Sequence, residues 1–286
     1  MSESRNSALP RSDQPYLATL VISVYQDVNA LSAILEALLY QTAKNFEVIV
    51  SEDGESDFIR ELLIQWKSHY PRLRHVTQED KGFRKNRALN AAIRVAETNR
   101  LIFIDGDCIP HVRFIEGHLS CQDENVICFG RRVELGQQYS KRLRAEPAFV
   151  KRLSMPIFYL GSLPKLAFDR VKNPESGIYS HWLHRMHNPA APSLVGCNFS
   201  CSKSALESVN GFDEEYQAAG IGEDSDLQYR LMHAGFRFRS VKFNAPLFHL
   251  HHRRGYSESE RNKALFERTV REQRVQCELG LRKPLL

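Results

Sequence analysis

The chain reads as an α/β domain: a mostly parallel sheet flanked by helices, with a mixed α/β part following it. Three observations carry that reading. Apolar, strand-like runs at 17–25, 46–50 and 101–104 alternate with segments of helical period, the order of a parallel sheet with crossover helices. Two of these runs end in turns that join acid to glycine, at Asp53-Gly54 and Asp105-Gly106-Asp107. Ligands of open α/β sheets gather at the carboxyl ends of the strands. Paired carboxylates placed there can hold a hard divalent cation and, through it, a diphosphate. Third, no strand is followed by Gly-x-Gly-x-x-Gly or by a glycine-rich loop closing in Gly-Lys-Ser/Thr. A dinucleotide fingerprint or P-loop is therefore excluded, and a phosphate must be met by a metal and by side-chain cations.

The elements follow in order. Residues 1–15 are polar and read as a disordered lead-in without the apolar core of a signal peptide. After the first strand, Asp27 and Asn29 offer caps, and Leu31, Ile34, Leu35, Leu38 and Leu39 recur at helical spacing. The second strand is Phe46 to Val50. A helix over 58–70, a short strand at 73–76 and a helix over 87–96 lead to the strand Leu101 to Ile104. Lys81, Arg84, Lys85 and Arg87 lie between the two acidic turns. Lys81, Arg84 and Arg87 are placed to meet a phosphate, while Lys85 reads as a solvated helix start.

At 286 residues the chain is long enough for one substantial core. No run approaches the roughly 18 apolar residues that span a bilayer. Six scattered cysteines form no disulfide framework or zinc pattern, so the thiols read as reduced and the protein as cytoplasmic. The net charge of +5 is unevenly spread: ten Lys/Arg stand against three Asp/Glu between Arg131 and Lys172, and the remainder is slightly acidic. Such a local excess points to an anionic partner for one segment rather than to nucleic-acid binding by the whole.

That segment, 131–190, shows no clean period, carries prolines at 147, 156, 164 and 174, and interleaves basic with aromatic residues. It reads as a partly mobile insertion over a binding site or as a surface resting on anionic lipid at the inner membrane face. A strand follows over 194–202, then a helix over 203–209 and a turn at Asn210-Gly211-Phe212-Asp213. Gly220 to Gly222 then open a helix whose first turn holds Glu223, Asp224 and Asp226. Acids there complement the helix dipole, but three exceed what capping needs, and a carboxylate facing a pocket is a candidate general base. A last strand ends in Phe248-His249-Leu250-His251-His252, where His249 and His251 share a face and one of them can reach a metal. Residues 257–279 read as a charged helix with Glu267 and Arg271 at i,i+4.

Taken together these residues resemble family-2 glycosyltransferases of the GT-A fold, and the later part resembles the β1,4-galactosyltransferase family. The motifs are Asp53-Gly54, Lys81-Gly82-Phe83, Asn86 to Asn90, Asp105-Gly106-Asp107, Val195 to Ser202, Asn210 to Asp213 and Gly222 to Leu227, ending near His249. Each is weak alone; their order over 17–255 is specific. The resemblance implies a GT-A domain over 16–255, with a nucleotide-sugar half (16–130), the basic insertion (131–190), an acceptor and catalytic half (191–255) and a C-terminal helix after it (256–286).

It implies an inverting transferase that uses Mn²⁺ or Mg²⁺ and a nucleotide-sugar donor, UDP-linked, with a glycan or lipid-linked saccharide as acceptor. Asp53 would pair with uracil and Tyr25 lie near the base, with Arg87 at the diphosphate and Asp105 by the ribose. Asp107 and His249 would hold the metal. Asp224 would be the base, with Asp226 next in line, and Glu223 would orient the acceptor. Two positions depart from the pattern: Glu55 follows Gly54 where the family has serine, and Ile221 stands where an aromatic is usual. The rival enzyme class, sugar-phosphate nucleotidylyltransferases, needs a glycine-rich loop after the first strand, and Val24-Tyr25-Gln26-Asp27 lacks one. A non-catalytic carbohydrate-binding homologue would not need Asp107, Asp224 and a metal ligand together.

Overall fold

The first strand, β1 (Ala18–Val24), is buried along its length, as its unbroken run of β-branched and apolar residues demands of a central parallel strand. The computed structural model describes residues 16–189, 191–220, 222–252 and 259–282; the lead-in 1–15 and Ile221 fall outside them. β1 is followed by α1 (Val28–Leu38), β2 (Phe46–Glu52), α2 (Asp57–Trp66), β3 (Leu73–Val76), α3 (Lys85–Val95) and β4 (Arg100–Asp105). The expected alternation thus holds, with α3 starting two residues early.

A seven-stranded sheet runs in the order β3-β2-β1-β4-β8-β6-β9, where β6 is Val126–Phe129, β8 Phe199–Ser202 and β9 Arg237–Ser240. β1 to β4 are mutually parallel, and β8 enters antiparallel to both β4 and β6. The strand order reverses at β1, the chain building outward to β2 and β3 on one side and then to β4 on the other, so a crevice opens at the carboxyl ends of β1 and β4. The Asp105-Gly106-Asp107 turn lies at the end of β4, and Asp53-Gly54 at the end of β2, the neighbour of β1 on its other side.

A second, three-stranded sheet, β5-β10-β7, joins Cys108–Pro110, Leu247–His249 and Val133–Glu134. Its register sets His249 opposite Cys108, and the Leu250 N–H donates to the Asp107 carbonyl at 2.8 Å. Strands almost 140 residues apart in sequence thereby bring the Asp-Gly-Asp turn against the histidines.

The basic segment departs from its reading as an irregular insertion. After α4 (Phe114–Leu119) come α5 (Gln137–Ala145), α6 (Val150–Leu153), α7 (Pro156–Phe168) and α8 (His181–Met186). Prolines hid these helices because three of the four begin helical turns, at 147, 156 and 174, where proline's missing N–H costs nothing. Arg144 anchors the segment by two hydrogen bonds, of 2.9 and 2.8 Å, to Asp27, which also caps α1 through the Ala30 N–H. The C-terminal helix is shorter than expected. After α9 (Lys203–Ser208) and α10 (Glu223–His233), α11 covers only Glu260–Arg271, and Arg271 pairs with Glu272 instead of Glu267.

Candidate active site

The site begins with the turn after β4. Gly106 donates to the Ser23 carbonyl at 2.6 Å, pinning the turn to the end of β1 and leaving Asp105 and Asp107 on either side. Asp105 accepts from Lys85 Nζ at 3.0 Å, and the same ammonium lies 3.3 Å from Glu223 Oε1. The expectation that Lys85 is a solvated helix start is therefore corrected: its side chain is 17% exposed and bridges the two halves of the site. No local pattern reveals this, because the partners lie 20 and 138 residues away.

Glu223 and Asp224 occupy the first turn of α10, reached through Gly222. Gly222 has φ +117, and a Cβ on it would lie 2.2 Å from the Tyr216 ring, so no other residue fits there unstrained. Asp224 Oδ2 accepts the Gly196 N–H at 2.8 Å. A Cβ at Gly196 would stand 2.4 Å from Asp224 Oδ1; glycine leaves the space into which the carboxylate fits.

Three carboxylates here share one lysine. Burial works against the charge of Lys85, but Asp105, Glu223 and Asp224 outweigh it and raise its pKa well above that of a free lysine. Burial lifts Glu223 to about 7, opposed by Lys85 and reinforced by the acids Asp224 and Asp105. Asp224 is raised as well, chiefly by burial, with Lys85 and the Gly196 N–H pulling the other way. Desolvation thus outweighs the favourable contacts at both acids. Glu223 Oε2 is buried without a hydrogen-bond partner, which leaves one acceptor available to an incoming hydroxyl.

On the other side of the turn, His249 Nε2 and His252 Nε2 each lie 3.2 Å from Asp107 Oδ2. Burial disfavours charge on Asp107, but the two imidazoles prevail and hold its carboxyl well below the usual range. Asp107, Cys108 and His249 present ligand atoms within 4.8 Å of one another. Carboxylate and imidazole donors converging on one point fit a divalent cation. The second histidine that reaches Asp107 is His252, three residues after His249, while His251 lines the adjoining cleft. β10 ends at His249, so the strand alternation that paired 249 with 251 no longer applies, and the backbone N–H of His251 donates to Ser140 Oγ.

The remaining candidates are less central. Asp53 is buried and accepts from the Arg84 N–H and from Gln78 Nε2, each at 2.6 Å. Tyr25 is exposed beside it, donating to Asp80 at 3.2 Å. Lys81 points to solvent and pairs with Glu79, the Arg84 guanidinium turns to the Glu79 carbonyl, and Arg87 is exposed on α3. Of the four cations read between the acidic turns, Lys85 alone is drawn into the carboxylate cluster. Asp226, second in line as base, is committed elsewhere: Arg230 Nε donates to it at 2.8 Å and Thr269 at 3.0 Å. A cleft of about 600 Å³ is lined by His249, His251, His252, Gln138, Phe168 and Lys172, among others.

Comparison with known proteins bears on the family and the fold. The model of a family described as "Glycosyl transferase family 2" matches residues 19–207, and that of "N-terminal domain of galactosyltransferase" matches 180–253. Chondroitin synthase of Escherichia coli is 26% identical over 238 residues, covering 78% of this chain and 33% of that protein. Validoxylamine A glucosyltransferase of Streptomyces hygroscopicus subsp. jinggangensis is 29% identical over 223 residues, covering 75% of this chain and 51% of that protein. The chain thus spans a third to a half of the length of these relatives. Among solved structures, GalNAc-T7 with UDP, GalNAc and Mn²⁺ superposes with a TM-score of 0.63 at 12% identity, over 91% of this chain and 48% of that one. The mannosyltransferase PcManGT from Pyrobaculum calidifontis, in complex with GDP-Man and Mn²⁺, superposes at 0.54 and 17% identity, over 85% and 59%. The shared architecture is the GT-A fold.

Proposed function

The chain belongs to glycosyl transferase family 2, and on that premise we propose that it is an inverting, metal-dependent transferase moving a sugar from a UDP-linked donor to a hydroxyl of a glycan or lipid-linked saccharide. One observation carries the reading most: Asp105 on the nucleotide side and Glu223 on the acceptor side converge on Lys85, with Asp224 beside them and the Asp107–His249–His252 cluster across the turn.

Asp53 and Tyr25 would face the base, Asp105 the ribose and Arg87 the diphosphate; Lys81 and Arg84 are the outer cations of that subsite. Asp107, His249 and His252 would hold the metal, and two imidazoles favour Mn²⁺ over Mg²⁺, which prefers oxygen ligands. A cation bound there would supply Lewis-acid stabilisation to a departing diphosphate. Asp224 takes the proton of the acceptor hydroxyl, and burial, by raising its pKa, strengthens it as a base. Glu223, with its free Oε2, holds and orients that hydroxyl. A single displacement from the face opposite the leaving group inverts the anomeric centre. The neighbours were solved with UDP in one case and GDP-Man in the other, so the choice of uridine rests on Asp53. Similarity to chondroitin synthase supports a saccharide acceptor and a role in polysaccharide biosynthesis. None of the described helices is long and apolar enough to cross a membrane.

The test is a panel of nucleotide sugars incubated without acceptor, read as metal-dependent donor hydrolysis. UDP-sugars should be cleaved with Mn²⁺ and spared with excess chelator, and UDP should raise the melting temperature more than GDP or ADP. Hydrolysis that persists in chelator would refute the metal role, and equal protection by the three diphosphates would refute uridine selection.

A further inference from the structure

The helix α7 (Pro156–Phe168) turns apolar residues in two opposite directions. Tyr159, Ser162 and Leu166 are buried against the core. On the far side Ile157 is 87% exposed, Leu160 48% and Phe168 81%, with Met155 at 57% just before the helix. Gly161 and Pro164 complete this exposed side. At about 100° per residue, positions 157, 160, 161, 164 and 168 fall within one stripe about 100° wide, the width of a face that normally points into a core. Here it points out of the protein. No acidic residue lies on it.

The chain around the stripe is basic. Between Pro147 and Lys172 the chain carries Lys151, Arg152, Lys165, Arg170 and Lys172 against the single acid Asp169. Asp169 is buried and spent capping α5, accepting from the Gln138 and Tyr139 N–H groups at 3.0 Å each. Arg152 lies along the helix with its guanidinium over the Phe158 ring. An apolar stripe with a cationic border and no acidic counterweight complements a surface that is apolar beneath and negative on top. We propose that α7 seats the protein on an anionic bilayer, Ile157, Leu160 and Phe168 entering the acyl boundary while the basic side chains remain at the headgroups.

Phe168 also lines the cleft that His249 and His252 share. With α7 on the bilayer, the mouth of that cleft sits at headgroup level, within reach of a saccharide carried on lipid. This second step rests on the transferase reading; the docking itself does not.

The test needs no nucleotide sugar, so it separates docking from catalysis. The full chain is sedimented with phosphatidylcholine vesicles with and without phosphatidylglycerol, at low and high salt. Wild type should pellet with the anionic vesicles and be released by salt. Ile157→Glu/Leu160→Glu should bind at least about tenfold more weakly with circular dichroism and melting temperature unchanged, since both side chains face away from the core. Ile157→Ser serves as the milder variant should the pair not fold. Lys165→Ala should weaken binding roughly fivefold. No pelleting at low salt, equal binding to neutral vesicles, or equal binding by the glutamate variants would overturn the proposal. So would a concentration-dependent dimer that Ile157→Ser dissolves, because the stripe would then belong to a second copy of the chain.

Discussion

Two acid–base clusters lie within two turns of one helix, α10, and are built in opposite ways. Asp226 and Arg230 are each 1% exposed and paired at i,i+4. Arg230 Nη1 donates to the Val209 and Gly211 carbonyls at 2.7 and 2.9 Å, and Thr269 donates to the other Asp226 oxygen. One charge meets one charge, and the cluster ties α10 to the turn at 210–213 and to α11. Three residues upstream, Glu223 and Asp224 share Lys85 with Asp105, Arg132 adding only a lesser attraction; Glu223 keeps a buried oxygen without a partner, and both α10 acids have raised pKa values. A pair that closes on itself stabilises a fold; an acid-rich cluster left open is costly to the fold and useful to chemistry.

Asp224→Asn should break the comparison most sharply. Asparagine can still accept the Gly196 N–H and fill the same space, so the melting temperature should hold. Transfer should fall about 10²–10⁴-fold, the usual contribution of a general base. A melting curve and a turnover assay on the same preparation decide it, and near-normal transfer would take the base away from this position.

The closed cluster should respond in the other currency. Arg230→Met removes the partner of a buried carboxylate and of two carbonyls, and should cost about 3–5 kcal/mol of stability in urea unfolding. Turnover per folded molecule should stay close to wild type, since Arg230 reaches none of the site's groups. A selective loss of turnover without loss of stability would mean that the clusters are not separate.

Glu223→Gln tests the cost of keeping the open cluster acidic. The folded-state pKa of about 7 lies above the 4.5 of an ordinary glutamate. Between these values the folded protein binds the extra proton, so the Glu223 contribution makes stability fall as pH rises. The penalty is absent below the unfolded value and complete above the folded one, about 3 kcal/mol at most. Glutamine should therefore stabilise the protein at about pH 8 and much less at about pH 5; a pH-independent difference would contradict the assignment.

Lys85→Met should give the smallest shift and sharpen the comparison. With the shared cation gone, the acids at 223 and 224 should hold their protons more tightly, moving the acidic limb of the pH–rate profile up by about 1–3 units. An unmoved limb accompanied by a uniform loss of rate would make Lys85 a packing residue.

Much of this was legible because it is local. An apolar run ending in Asp-Gly-Asp marks both a buried strand and the turn beyond it, and β4 (Arg100–Asp105) with its turn stands where that pattern requires. Gly222 before three acids marks a helix start, and α10 begins at Glu223. The order of such motifs was enough to identify the family and the GT-A fold. Tertiary structure decided what depends on distant partners. Lys85 resembles any basic residue opening a helix until folding sets Asp105 and Glu223 around it. His252 reaches Asp107 because the strand stops at His249, and period-two reasoning holds only while pairing lasts. Asp226 resembles its neighbours in the first turn, yet Arg230 and Thr269 withdraw it from the site. The helices of 131–190 were hidden by prolines that begin turns instead of breaking them. Strand and turn propensities are written within a few residues of each position, whereas charge compensation and burial are fixed only when elements over a hundred residues apart share one low-dielectric space.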